Sequence, residues 1–203
     1  QVTGHVEYIH PLHNLAIVSY DPVLIGDTPV KAARLSRKKV KAGDNFWVVG
    51  LKGDHQIVHQ ETTVASVDPI ALPLSRTMRF RETNLETISL VNAPPNIDGV
   101  IVSEEGEVVA KWVSFAYESG GEPGQVNRGI SSEIVREFVN VVRLGDPIFS
   151  LEAELGYTPL FAARKLGLDK EWLDKLESHN PAGRRVLSVT RLVAGSSAAG
   201  KLK

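Results

Sequence analysis

The chain has 203 residues, with 23 Lys and Arg against 24 Asp and Glu, and no cysteine. A net charge of −1 excludes the strong basic footprint of a nucleic-acid binder. The lack of cysteine excludes thiolate metal sites, disulfides and a cysteine nucleophile.

Short strands fill the first half. His5–Ile9 alternates polar and apolar side chains, and residues 15–20 form an apolar run of strand length. Residues 45–51 make another strand after the turn Ala42-Gly43-Asp44. The β-branched stretch 56–68 is long enough for two paired strands, and 87–92, 99–103 and 107–115 follow. Glu104-Glu105-Gly106 reads as the hairpin turn between the last two. Many short strands with little helical periodicity predict a mainly β barrel or sandwich.

Residues 118–129 read as a polar, glycine-rich loop. Ile134, Val135, Phe138, Val141 and Val142 then recur at helical spacing over 130–143, with Ser131 or Ser132 as the cap. Leu144-Gly145-Asp146-Pro147 stops that helix and opens a linker. The domains expected are 1–143, a linker at 144–149, and 150–203. In the last of these, 150–157 reads as a strand, 160–168 and 169–179 as two short helices with Asp169 capping the second, and 184–193 as a strand. The closing GSSAAGKLK string reads as a helix cut short, and residue 1 is Gln rather than Met. The expectation is therefore an internal segment of a longer polypeptide, whose targeting signal lies elsewhere. No apolar run approaches the ~18 residues of a membrane helix.

Four strings in order, HPLHNLAIVSYDP (10–22), DNFWVVGL (44–51), NAPPNIDGVIVSEEGEVVAKW (92–112) and NRGISSEIVREFVNVV (127–142), resemble the second part of an HtrA/Deg-type, trypsin-like serine protease domain. The tail, from SLEAELGYTPL to VLSVTRLVAGSSAAGKL, is similar to the first half of the PDZ domain that follows such a domain. The HPxHN string and the RRVLSV…AGS ending are similar to the subgroup with two protease-like halves, which has plant chloroplast, fungal nuclear and bacterial members. The fold implied is a partial chymotrypsin-like double β-barrel followed by the N-terminal part of a PDZ-like α/β domain.

Transferred position by position, the resemblance implies a site that has lost its chemistry. The catalytic acid position holds Asn14; an amide there costs about 10⁴ in rate even with geometry intact. The nucleophile position holds Ile97, because Pro94-Pro95-Asn96-Ile97-Asp98-Gly99-Val100 overlays Pro-Gly-Asn-Ser-Gly-Gly-Pro. A hydrocarbon has no lone pair to attack a carbonyl. The oxyanion position holds Pro95, which has no N–H to donate. The general-base His would precede Gln1. Sliding the overlay by one residue brings Asn96 or Asp98 to the nucleophile position, and neither is a credible acyl-transfer nucleophile. Ser89 and Ser103 lie too far along their strands.

Other constellations have plainer readings. His10 and His13 have an H-x-x-H spacing, but Pro11 prevents a helix and an extended chain sends the two rings to opposite faces, so the string reads as a turn leading into the strand at 15–20. His55 and His59 read as solvated surface, so no metal site and no cofactor are expected. Glu104, Glu105 and Glu107 read as a solvated turn, and Arg34, Arg37, Lys38, Lys39 and Lys41 as a solvated loop or a contact for an acidic partner. Trp47, Trp112 and Trp172 read as core. Leu166-Gly167-Leu168 has two open readings: the backbone loop by which a PDZ domain captures a peptide C-terminus, or a helix C-cap.

The function expected is a non-catalytic protease-like module of a larger HtrA/Deg-type serine endopeptidase, serving assembly, regulation or peptide binding. An active serine endopeptidase and a PDZ-type peptide-binding adaptor are the alternatives. The resemblance implies polypeptide substrates or peptide C-termini as partners and self-association as a trimer, with no nucleic acid. It leans to a bacterial periplasm or envelope and leaves nucleus and chloroplast open.

Overall fold

A computed structural model describes residues 1–10, 13, 15–72, 83–94, 97–147, 149–181 and 183–202. The chain divides into two compact units, Gln1–Phe149 and Ser150–Lys203.

The first unit begins with an antiparallel hairpin, β1 (Gly4–Ile9) and β2 (Ala16–Tyr20), followed by a 3-10 turn at Pro22–Ile25 capped by Asp21. The remaining strands are β3 (Asn45–Leu51), β4 (Ile57–Ala71), β5 (Thr83–Leu90), β6 (Asp98–Val102), β7 (Val108–Ser119) and β8 (Glu122–Ser131). They close into one barrel of order β3-β4-β5-β8-β7-β6. The fold is mainly β, as the strand-rich sequence predicts, with one closed barrel and a hairpin among the described residues of this unit.

Two strand predictions need correction. Residues 56–68 do not form two paired strands; from Ile57 on they belong to the single long β4. Register shifts at Val64/Ser66 and Asp68/Ile70 bend it, so its first half pairs with β3 and its second with β5. Bulges let one continuous strand turn a barrel corner, and β-branching alone does not reveal them. Residues 118–129 are not a loop but the end of β7, a two-residue turn and most of β8. Gly120 and Gly121 both have positive φ, 64° and 89°, and Ser119 pairs with Glu122 across them. Two positive-φ residues in a two-residue loop match the twist of a hairpin, and glycine adopts them without a Cβ clash.

The barrel interior is one apolar cluster that includes Phe46, Val48, Ile88, Ile97, Ile101 and Trp112. A second cluster of Ile70, Leu72, Phe115, Ile130 and Ile134 lies where helix α1 (Ser132–Leu144) meets the barrel. Ser131 caps α1, its hydroxyl accepting from the Glu133 N–H at 3.0 Å. Gly145 ends it at φ 70°, donating to the Val141 and Val142 carbonyls. Ile134 and Phe138 fall one turn apart and point inward, as the spacing predicts.

The second unit holds strands β9 (Ala153–Pro159) and β10 (Arg185–Leu192), antiparallel, with α2 (Leu160–Lys165) and α3 (Lys170–His179) between them in sequence. Asp169 caps α3 by accepting from the Trp172 N–H at 3.0 Å. Trp172 itself is 55% exposed, so the core reading of this tryptophan is wrong, whereas Trp112 is 1% exposed. Short α3 presents its Trp172 side chain to the Lys175 ammonium, 4.8 Å from the ring centroid, rather than to a core. Residues 194–201 form turns and bends, not the start of a helix. Among the described residues no helix is long and apolar enough to cross a membrane.

Candidate functional site

The segment that overlays the protease nucleophile loop runs from the end of β5 into β6. Three long polar side chains from neighbouring strands hold its backbone. Gln60 of β4 donates to the Asn92 carbonyl at 2.6 Å. Asn127 of β8 donates to the Ile97 carbonyl at 3.1 Å. The Lys111 ammonium of β7 donates to the Gly99 carbonyl at 2.9 Å. These three clamps are not apparent from the sequence, because strand polarity alone does not say which carbonyl a side chain reaches.

Ile97 lies within this segment and is 2% exposed, inside the barrel cluster. Its side chain is part of the hydrophobic core rather than the wall of a cleft. Asn14 and Pro95, the acid and oxyanion positions, lie outside the described residues, as does Asn96. Ser89 is bonded to Ser66 across β4 and β5 at 2.6 Å, and Ser103 sits in the turn between β6 and β7. Neither is near Ile97 in strand register. On the hairpin, the Ser19 hydroxyl donates to the Glu7 carboxylate, and His5 pairs with Ser19. This hydroxyl gives its proton to a carboxylate on an exposed surface. It is not activated by an imidazole that could act as general base.

His10 and His13 come together, against the expectation of opposite faces. Their ring centroids are 4.8 Å apart, and the His13 backbone N–H donates to His10 Nδ1 at 3.0 Å. The expected turn brings them there: the His10 N–H donates to the Leu15 carbonyl at 2.9 Å and the Leu15 N–H to the His13 carbonyl at 2.7 Å. The His10 ring also packs on Phe138 at 4.7 Å, which joins the hairpin to α1. An Nδ1 that accepts a hydrogen bond leaves the ring proton on Nε2, a poor arrangement for a metal ligand. No group of three or more metal-binding side chains is found among the described residues.

The acidic turn behaves as a solvated hairpin tip. The Ser103 hydroxyl holds the Glu105 carboxyl below the usual glutamate value, helped by the Glu105 backbone N–H and by Lys38. A depressed folded value stabilises the fold above the unfolded pKa, and that contribution is lost as pH falls through the folded one. Ser103→Ala is therefore expected to move the Glu105 titration upward, towards that of a free glutamate. An NMR titration of its side-chain carboxyl checks this; an unchanged midpoint would contradict the assignment.

Leu166-Gly167-Leu168 follows α2. The Leu168 N–H donates to the Ala163 carbonyl at 3.0 Å and the Gly167 N–H to the Arg164 carbonyl at 3.1 Å. The Leu166 N–H donates to Ala162 and Ala163, both at 3.1 Å, and Gly167 has φ 104°. This is the Schellman pattern of a helix C-cap. All three amides are used within α2, which leaves none to receive a peptide carboxylate in this conformation.

No family model matches the chain. It is 31% identical over 202 residues to the PDZ domain-containing protein C23G3.12c of Schizosaccharomyces pombe, which covers 97% of this chain and 20% of that protein. It is 30% identical over 197 residues to the pro-apoptotic serine protease NMA111 of Saccharomyces cerevisiae, 94% of this chain and 20% of that one. Among solved structures, the HtrA-type protease AlgW with a decapeptide superposes at a TM-score of 0.55, with 15% identity, over 98% of this chain and 55% of that one. The chain belongs to the HtrA/Deg family of trypsin-like proteases. Its barrel is thus a chymotrypsin-like barrel, as expected from the order of its motifs. This HtrA-like chain spans about a fifth of the length of the curated fungal relatives it matches.

Proposed function

We propose that residues 1–149 are a protease-like module that does not cleave peptide bonds and that serves assembly or substrate holding within a longer HtrA-type polypeptide. Residues 150–203 then contribute to a PDZ-like peptide-binding domain. The observation that carries this reading is the burial of Ile97, 2% exposed at the position the overlay assigns to the nucleophile. A hydrocarbon in the barrel core supplies no attacking lone pair and offers no path for a substrate carbonyl. Pro95, two residues earlier in sequence, has no N–H for an oxyanion, and Asn14 cannot stabilise an imidazolium as a carboxylate does.

A second reading is favoured by the printed name of the relatives, serine protease. On that reading the longer polypeptide is an endopeptidase, and its hydrolysis is carried out by another domain. The fungal source of those relatives favours a eukaryotic setting over a bacterial envelope. The test is turnover of an unfolded polypeptide by the longer polypeptide, with each serine of residues 1–149 changed in turn to alanine. Activity unchanged by every substitution is expected. Loss of turnover in one folded variant would place a working nucleophile in this module and overturn the reading.

A further inference from the structure

We propose that the groove between α2 and α3 docks an internal acidic segment of a second polypeptide, one in which carboxylates flank an apolar or aromatic side chain. The inference needs neither a silent protease module nor capture of a peptide C-terminus. Residues 150–203 carry nine basic and six acidic side chains, a net +3 in a chain whose total is −1.

The groove has a volume of about 860 Å³ and is walled by two helix faces. On α2, Leu160 and Ala163 are buried and anchor the helix, which turns Phe161, Arg164 and Lys165 to its exposed side. On α3, Lys170, Leu173, Asp174 and Glu177 recur at helical spacing and line the opposite wall. No side chain of α3 is buried, and Leu173 is only half-buried. A helix of ten residues is marginal in water by itself and gains its stability by packing an amphipathic face. Its groove face is open to such packing. On the facing helix the Phe161 ring is 69% exposed, an aromatic anchor point beside it.

The charges say what the occupant carries. Arg184 pairs with Glu177 at 2.7 Å, so these two lining charges offset each other. Among the described residues no ion pair holds Arg164, Lys165 or Lys170, and all three are exposed. Lys175, which does not line the groove, is instead paired with Glu171 at 2.6 Å. Against the three unpaired cations the lining has one further carboxylate, Asp174. A polyphosphate or nucleic-acid strand would be repelled by Asp174 and Glu177 and would leave Phe161 and Leu173 in contact with water. A peptide that carries both carboxylates and an apolar side chain matches cations and apolar surface together. Exposed ion pairs contribute little by themselves, so they orient the segment while burial against Phe161 and Leu173 supplies most of the affinity. None of the lining side chains belongs to β9 or β10, so this mode is not the addition of a strand to a sheet edge.

The test is fluorescence anisotropy on the 203-residue chain, with the peptide Glu-Glu-Phe-Leu-Glu-Asp labelled at its N-terminus and amidated at its C-terminus. Saturable binding is expected, weakened at least ~10-fold when salt is raised from about 0.05 M to about 0.5 M. Phe161→Ala and Arg164→Glu/Lys170→Glu should each weaken it at least ~10-fold. So should replacing the phenylalanine and leucine of the peptide with serine. Thermal melts establish that each variant is folded, and the neutral variant Arg164→Gln/Lys170→Gln, also expected to weaken binding, serves if the charge reversal does not fold. Amide NMR shifts during the titration should concentrate in α2 and α3. Failure of the amidated peptide to bind saturably would overturn the proposal. Equal affinity for the serine-substituted peptide or for a short nucleic-acid duplex would also overturn it, since the groove would then attract any anion. Shifts confined to β9 and β10 would do the same, because they would place the peptide on the sheet edge.

Discussion

Ile97→Ser is expected to destabilise the barrel by roughly 4 kcal/mol, seen as a large drop in the urea midpoint with little change in slope. Two effects add. Truncating a buried isoleucine removes apolar contacts and leaves a cavity, at roughly 2–5 kcal/mol. A hydroxyl placed among Phe46, Val48, Ile101 and Trp112 then loses its water hydrogen bonds, for a further ~1–3 kcal/mol unless a carbonyl receives it. Ile97→Val is the control and should cost only about 1 kcal/mol, since it removes one methylene from the same site. If Ile97 instead lined an open cleft, serine would be tolerated to within about 0.5 kcal/mol, as surface substitutions are. Serine here is also expected to bring no hydrolysis, because its hydroxyl would face the core.

Gly99→Ala should be nearly as damaging, at about 3 kcal/mol, towards the upper end of what overpacking costs. Gly99 pairs with Gly50 where β6 closes the barrel on β3. A Cβ at Gly99 would stand 2.1 Å from the Val49 carbonyl oxygen and 2.6 Å from the Gly50 Cα. Both are backbone atoms, so relief requires the strands to part. Gly53→Ala is the matched control, since a Cβ there meets nothing within 4 Å. It should change the unfolding free energy by no more than about 0.5 kcal/mol. Equal effects at the two positions would show that the closure between β3 and β6 is not tight.

Much of the fold was legible because period and punctuation agree. Ser131, the apolar positions Ile134 and Phe138, and Gly145 mark one helix from cap to cap, and α1 forms where they predict. The errors have local physical causes. Bulges in β4 change direction without changing composition, so one strand reads as two. Gly120-Gly121 reads as a loop because glycine is common in loops, whereas the deciding feature is that both residues take positive φ between paired strands. His10 and His13 read as separated because residue types suggest a turn before β2 but do not show that it brings the two rings together.

At the candidate site, residue identity was legible and environment was not. Isoleucine at position 97 is plain in the sequence, but its place in the barrel core depends on strands far apart in the chain. The same holds for Gln60, Lys111 and Asn127, whose roles depend on which carbonyl each reaches. Leu166-Gly167-Leu168 fits two descriptions as a string, and only the direction of its amides separates them.

The sharpest measurement is reaction with a serine-directed fluorophosphonate, read by intact mass and peptide mapping on the longer polypeptide that carries this sequence. No adduct is expected on any serine within residues 1–203, at a probe excess that labels an active serine protease to completion. A stoichiometric adduct on a serine within those residues, lost when the protein is unfolded first, would show an activated nucleophile in this module and contradict a silent site.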